Sequence, residues 1–155
     1  MTRKRQPATA AFFVCAEYPN RMDSDWPERL PPEFYVGLAQ LNEEQYYTCH
    51  ETLEALWLVE RHSIRELYQG VLQIAVGCYH LTVRANYIGA TRKLDAGTRR
   101  LERAGIEDDR YGVAWDALIH AADDLREHLE MLGAERIREF DRALLPRVHY
   151  QIPVL

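Results

Sequence analysis

Residues 50–57 read HETLEALW, in which His50, Glu54 and Trp57 form the pattern H-x-x-x-E-x-x-W. One helical turn separates His50 from Glu54 and less than a turn separates Glu54 from Trp57, so a helix places all three on one face. That face also carries Tyr46 and Leu53 and is typical of a helix packed on a core. Because a buried carboxylate or imidazole is costly unless it is paired, the stretch predicts a polar network or a functional site.

Helical spacing extends from this stretch over most of the chain. It predicts helices over residues 33–41, 43–61, 64–84, 87–104 and 135–144, and a long helix that follows Gly112 and ends at Gly133. Asn42 and Ser63 are predicted as N-caps, since each is followed three residues later by Gln or Glu in a capping-box pattern. Strand patterns are nearly absent. We therefore predict an all-α fold, a single compact bundle of five to six helices.

The N-terminal part of the chain differs from the rest. Residues 1–32 contain five of the seven prolines and show no sustained period. They are predicted to form an irregular N-terminal arm that Trp26 and Phe34 hold against the core. The bundle is then predicted over residues 33–145, and an extended C-terminal tail over residues 146–155.

Length and composition limit the class of protein. A chain of 155 residues with 47% hydrophobic and 28% charged residues is typical of one soluble globular domain. No stretch approaches the roughly 18 apolar residues of a membrane span, so no membrane partner is expected. A basic start followed by a short apolar run over residues 8–16 resembles a signal peptide, but the run is short and its cleavage-site match is poor.

The three cysteines point to a reducing compartment. Cys15, Cys49 and Cys78 cannot all pair within the chain, and none belongs to a C-x-x-C motif. Reduced thiols are the simplest account, which makes a cytoplasmic location our prediction. Cys49 and Cys78 lie within helical patterns, where a free cysteine usually packs as a small hydrophobic residue.

Charge is unevenly spread along the predicted helices. Residues 84–103 carry six basic and two acidic residues, whereas residues 107–135 carry nine acidic and two basic ones. The net charge of −5 and the acidic neighbour argue against nucleic acid as a partner. We expect the basic helix to pair with the acidic helix that follows, or with the same helix in a second copy, which makes a homo-oligomer a candidate assembly.

The predicted third helix carries a stripe of small and polar residues at steps of three and four. These are Gly70, Gln73, Gly77, His80 and Arg84. Glycine costs up to about 1 kcal/mol inside a helix, so two glycines on one stripe indicate that another helix lies close. The helix of His50 and Glu54 is the expected partner, because a short loop joins the two helices.

With these residues, the chain resembles a small bacterial and archaeal family known as domain of unknown function 309. The hallmark of the family is the same H-x-x-x-E-x-x-W pattern. Further residues that carry the resemblance are Leu41-Asn42, Tyr46-Tyr47, Tyr68-Gln69-Gly70, Gln73-Ile74-Ala75, Tyr79-His80-Leu81 and Asn86-Tyr87-Ile88-Gly89-Ala90. It covers residues 34–101. The resemblance implies a compact α-helical domain and implies no activity.

The candidate site is a polar pocket where the helices near 43–61 and 64–84 are expected to meet. Its predicted residues are Tyr46, Tyr47, His50, Glu51, Glu54, Trp57, Gln69, Gln73, His80 and Asn86. In a first interpretation, His50, Glu54 and His80 ligate a divalent metal, although helical carboxylate sites normally use more ligands than this. In a second, His50 beside Glu54 is an acid/base group of an enzyme, although no nucleophile lies near a base.

A third interpretation needs no ligand. His50, Glu54, Gln73 and His80 would form a satisfied buried network that fixes the register of two closely packed helices. The residues favour this network, and no cofactor is required. We predict a cytoplasmic helical domain that acts as a binding or interaction module, with its site at the polar pocket. A metal-dependent or acid/base enzyme using His50 and Glu54 is the alternative.

Overall fold

The computed structural model describes residues 25–154. They form five α-helices: α1 (Pro32–Asn42), α2 (Tyr46–Val59), α3 (Arg65–Thr82), α4 (Tyr87–Ala104) and α5 (Trp115–Leu132). Three 3-10 helices follow α4 and α5, over Arg110–Gly112, Ala134–Glu139 and Arg142–Leu144. Within the described residues there is no strand, only an isolated antiparallel bridge between Val113 and Tyr150. The predicted all-α fold is confirmed.

Each α-helix packs against the next one along the chain. An aromatic cluster ties the ends of this succession together. The ring centroid of Phe34 on α1 lies 5.7 Å from that of Tyr68 on α3 and 6.1 Å from that of Trp115 on α5. All three side chains are almost fully buried. Helices from the start, the middle and the end of the described chain therefore share one core.

Among residues 25–154, no helix is both long enough and apolar enough to cross a membrane.

The described end of the N-terminal arm is held at the start of α3. Trp26 is 9% exposed, and its indole N–H donates to the Ser63 hydroxyl over 2.9 Å. That hydroxyl in turn donates to Asp25 over 2.6 Å. The N-cap position of α3 belongs to Ile64, so the prediction of Ser63 as N-cap is wrong. Residues 1–24 of the predicted arm lie outside the described residues.

Asn42 ends α1 and does not begin α2. Its side-chain amide donates to the carbonyl of Val148 over 2.9 Å, and its side-chain oxygen accepts from the Val148 N–H over 2.7 Å. The Asn42 carbonyl also accepts from Arg147 over 3.0 Å. Because the extended tail uses both ends of this amide, Asn42 is not the predicted cap, and α2 begins at Tyr46 after an N-cap Gln45 without a side-chain bond.

Other helix ends follow their sequence signals. The predicted helix over residues 87–104 is α4, whose N-cap Asn86 accepts from the Gly89 N–H over 2.9 Å. The helix that follows Gly112 does end at Gly133, whose N–H donates to the Leu129 carbonyl. The predicted helix over residues 135–144 is wrong: two 3-10 helices stand there, separated by extended backbone at Phe140.

The glycine stripe of α3 faces α4. A Cβ atom on Gly97 of α4 would lie 2.7 Å from the Gly70 carbonyl oxygen, and one on Gly77 would lie 3.1 Å from the Leu94 backbone nitrogen. The two backbones are therefore too close for side chains at these points. The prediction that the stripe packs against the helix of His50 and Glu54 is wrong, since two glycines on α3 indicate a close neighbour but not which one.

Polar residues cross the same α3–α4 contact. Arg100 on α4 donates to the Glu66 carboxylate over 2.6 Å and to the Gln73 side-chain oxygen over 3.3 Å, both on α3. Helices α4 and α5 are joined by Arg126, whose guanidinium lies 4.0 Å from the Asp95 carboxylate. Asp95 is one of the few acidic residues of the basic helix α4, and Arg126 is one of the few basic residues of the acidic helix α5. This ion pair therefore links the two helices.

We expect the change Gly97→Ala to lower the free energy of unfolding by about 1–3 kcal/mol, because the added methyl group would meet backbone that cannot move aside. The loss should appear even though alanine is intrinsically about 1 kcal/mol better than glycine in a helix. Urea unfolding followed by circular dichroism measures it. Ala117→Gly, at an exposed position of α5, is the control that reports helix propensity alone. A Gly97→Ala protein as stable as the wild type would contradict the close contact.

Candidate functional site

A cleft of about 200 Å³ opens between the first half of α2 and the second half of α3. Its lining residues are Tyr46, Tyr47, His50, Val76, Tyr79, His80 and Arg84. A water molecule occupies about 30 Å³ of liquid, so the cleft holds the equivalent of about seven waters. That volume suits a ligand the size of one substituted ring.

Aromatic rings form the walls of the cleft. The ring centroids of Tyr47 and Tyr79 lie 5.7 Å apart, and Tyr47 also lies 5.8 Å from the imidazole of His50. Tyr79 lies 6.4 Å from the imidazole of His80, in an edge-on arrangement. The guanidinium of Arg84 stands 5.7 Å from the centroid of the Tyr79 ring. The cleft therefore combines apolar ring faces with one cation.

Two of the lining residues bury polar atoms that have no hydrogen-bond partner among residues 25–154, the Nδ1 atoms of His50 and His80. The buried Tyr46 hydroxyl is in hydrogen-bonding contact with the Cys78 thiol of α3. Burial, more than any neighbouring charge, raises the pKa of Tyr46. Burial also lowers the pKa of His80, and the nearby charges of Arg84 and Lys93 lower it further. Tyr46 and His80 are therefore neutral near pH 7.

His50 and Glu54 are neighbours but are not closely bonded. The His50 Nε2 atom lies 3.7 Å from a carboxylate oxygen of Glu54, which is longer than a hydrogen bond. Their side chains are 27% and 44% exposed, and Glu54 does not line the cleft. An enzyme site would need both residues in one open cavity, and the predicted network would need both buried and bonded. The pair meets neither description in full.

Trp57 lies at the other end of the α2–α3 hairpin. The guanidinium of Arg65, the first residue of α3, stands 4.5 Å from the centroid of the Trp57 indole. Seven residues separate Trp57 from His50, a rise of about 10 Å along a helix. The three motif residues share one face of α2 but stand at different levels, so the motif does not form one site.

Four other residues of the predicted pocket also lie outside the cleft. Gln73 is buried against α4, where it accepts from Arg100, and Asn86 caps α4. Gln69 is half-buried on α3, and Glu51 is exposed on α2. Of the ten predicted residues, the cleft brings together Tyr46, Tyr47, His50 and His80.

Sequence reasoning missed Val76 and Tyr79 as cleft residues, and placed Arg84 only on the glycine stripe. The antiparallel register could have revealed them. Counting equally back along α2 from Trp57 and forward along α3 from Arg65 brings Tyr46 opposite Val76. The missing information was the Trp57–Arg65 contact that sets this register.

Residues 34–93 match the family model for domain of unknown function 309. The resemblance predicted from the motif is confirmed over these residues, which are less than half of the chain. The matched segment contains α1, α2, α3 and the start of α4, and it includes every residue that lines the cleft. No curated protein and no solved structure matches the chain.

The predicted metal ligands are not brought together as a cluster. Within residues 25–154, no group of three or more His, Cys, Asp or Glu side chains could hold a metal ion. His50 and His80 line the cleft of the matched segment, while Glu54 stands outside it. This geometry differs from the expected three-ligand arrangement.

The cysteines of the matched segment are core residues. Cys49 and Cys78 are free and fully buried, as predicted for small hydrophobic side chains. Burial raises the pKa of both thiols to about 12. They are therefore protonated near neutral pH and are poor nucleophiles, even though Cys49 is adjacent to His50 in the chain.

We predict that Glu54→Gln changes the free energy of unfolding by less than about 1 kcal/mol, because the His50–Glu54 pair is partly exposed and 3.7 Å long. Glu66→Gln is the matched comparison on α3. It removes one partner of the 2.6 Å ion pair with Arg100 and should cost about 1.5–3 kcal/mol. Chemical unfolding of both variants measures the difference. A larger loss for Glu54→Gln than for Glu66→Gln would show that the network predicted from sequence exists.

We expect His80 to make the fold weaker in acid. Its pKa is below 6.5 in the folded chain and near 6.5 in the unfolded chain, so the unfolded state binds the proton more readily. Its contribution to stability is thus complete above pH 6.5 and is lost as the pH falls from there through the lowered pKa. Unfolding free energies at pH 7.5 and pH 5 should differ less in His80→Gln than in wild type. His120→Gln, at an exposed histidine of α5, should keep the wild-type difference.

Proposed function

We propose that this helical domain is a small-molecule binding module and that its ligand site is the cleft between α2 and α3. One observation carries the proposal: the Nδ1 atoms of His50 and His80 are buried without a partner among residues 25–154, and both imidazoles line one open cleft. Buried polar groups in native proteins are nearly always hydrogen-bonded, and exceptions call for an explanation.

Energetics favours a ligand over a purely structural role for these atoms. Leaving a buried donor or acceptor unsatisfied costs about 1–3 kcal/mol. The imidazoles of His50 and His80 each carry one such atom, and both line this cleft of about 200 Å³. These nitrogens have no surface open to water, so a rotation of the imidazole ring would bring them to a polar group of the ligand, whose apolar part packs on the rings of Tyr47 and Tyr79.

The network predicted from sequence accounts less well for the same residues. Gln73 turns to α4 and bonds Arg100, and Glu54 lies 3.7 Å from His50 at the surface. His50 and His80 are thereby left without the partners that a satisfied network requires. Imidazoles also have acid/base capacity, but Glu54 stands outside the cleft and Cys49 is protonated. We therefore propose binding without catalysis.

Val76→Phe tests the proposal, since the larger side chain would fill the cleft from α3. A set of small aromatic fragments is screened on the full chain by ligand-observed NMR, and the bound fragments are placed by amide shifts. We expect fragments that shift the amides of Tyr47, His50 and His80 in the wild type. Their affinity should fall by more than about tenfold in Val76→Phe, which corresponds to a loss of about 1.4 kcal/mol of binding free energy.

Val36→Phe is the control, because Val36 is half exposed on α1 and does not line the cleft. It should bind the fragments as the wild type does. Two results would overturn the proposal. One is the absence of any fragment that shifts the cleft amides, and the other is equal binding to wild type and to a folded Val76→Phe protein.

A further inference from the structure

We infer that the ligand of this cleft is a small organic anion, with a flat apolar body against Tyr47 and Tyr79 and a carboxylate or phosphate group toward Arg84. The inference rests on the proposed function and adds the charge class of the ligand. It is drawn from the charges, rings and unpartnered polar atoms around the cleft.

Cations outnumber carboxylates around the cleft. The carboxylate of Glu44 acts on Tyr46 but is already paired with Arg142 over 2.6 Å. Arg84 lines the cleft, and Lys93 is close enough to His80 for its positive charge to lower the pKa of that imidazole. Among residues 25–154, neither Arg84 nor Lys93 forms an ion pair, in contrast to Arg99 and Arg100 of the same basic stretch. The carboxylate of Glu54 lies 3.7 Å from His50 but outside the cleft. An anion at the mouth would therefore gain the unpaired charge of Arg84 and, at longer range, that of Lys93.

A cationic ligand fits the same walls poorly. Stacked tyrosines can bind ammonium groups through the negative faces of their rings. Here the guanidinium of Arg84 already stands 5.7 Å from the centroid of Tyr79, and it would repel a second cation. The aromatic walls are thus left to pack against an apolar body rather than to hold a positive charge.

His80 supplies neutral hydrogen-bond groups. Burial keeps His80 uncharged near pH 7, and a neutral imidazole has one N–H donor and one acceptor nitrogen. Donors of this kind together with a guanidinium are the groups that recognise carboxylates and phosphates.

The test uses four probes that share one phenyl ring. Benzoate and phenyl phosphate carry an anion, benzamide is neutral and benzylamine is a cation. Each is titrated against the full chain at low and high salt, with binding followed by amide shifts of cleft residues. We expect one or both anions to bind at least about tenfold more tightly than benzamide, since a charge-assisted hydrogen bond is roughly twice as strong as a neutral one. Benzylamine should be the weakest, and salt should weaken only the anions.

Variants at the two cations locate the charge effect. Arg84→Gln should reduce the preference for anion over benzamide by about tenfold, and Lys93→Gln by less. Arg92→Gln, at an exposed position of α4 that does not line the cleft, should leave the preference within about twofold of wild type, because solvent screens a distant exposed charge.

The outcomes separate this inference from the proposed function. If benzamide binds as tightly as both anions and Val76→Phe removes them all, the cleft is a binding site but the anion inference is wrong. If Arg84→Gln leaves the anion preference intact, the inference is also wrong. If no probe and no fragment of the wider screen shifts the cleft amides, the proposed function itself is wrong.

Discussion

The close approach of α3 and α4 is the constraint on which the rest of the structure depends. Gly70 and Gly77 on α3 and Gly97 on α4 remove the side chains that would hold the two backbones apart. Each of the three glycines destabilises its helix by up to about 1 kcal/mol relative to alanine. Packing between the two helices and the Arg100–Glu66 bond must therefore offset this cost in stability. Once α3 is committed to α4 along this stripe, its other side faces α2.

The packing of the glycine stripe against α4 explains why the polar residues of α3 do not all face α2. Gln73 lies beside the glycines and is drawn toward α4, where it meets Arg100. His80 stands near the end of the same stripe, against Gly89 of α4 on one side and the cleft on the other. Gln73, which a closed polar network with α2 would need, therefore bonds α4 instead. What remains between α2 and α3 is a cleft with aromatic walls and two imidazole nitrogens that have no partner among residues 25–154.

Sequence reasoning predicted what depends on local signals and missed what depends on tertiary choice. The bounds of α4 could be predicted because Asn86 and Gly105 fix its ends through short-range bonds. The ends near Asn42 and Ser63 could not, since both side chains bond residues far along the chain, Val148 and Asp25. The same limit applies to the site. Helical spacing placed His50 and His80 on faces of α2 and α3, but only the three-dimensional register shows that Val76 and Tyr79 complete the cleft around them.

The motif residues have different physical roles, although they recur on one helical face. Trp57 packs under Arg65 and fixes the level at which α2 meets α3. That level determines which residues of α3 stand opposite His50. Glu54, between the two, is partly exposed and weakly paired. The motif is thus better explained by two separate roles than by one catalytic site. Trp57 sets the register of α2 against α3, and His50 forms part of the cleft wall. The cleft follows from the register, because shifting α2 by one turn would move His50 away from Tyr79 and His80.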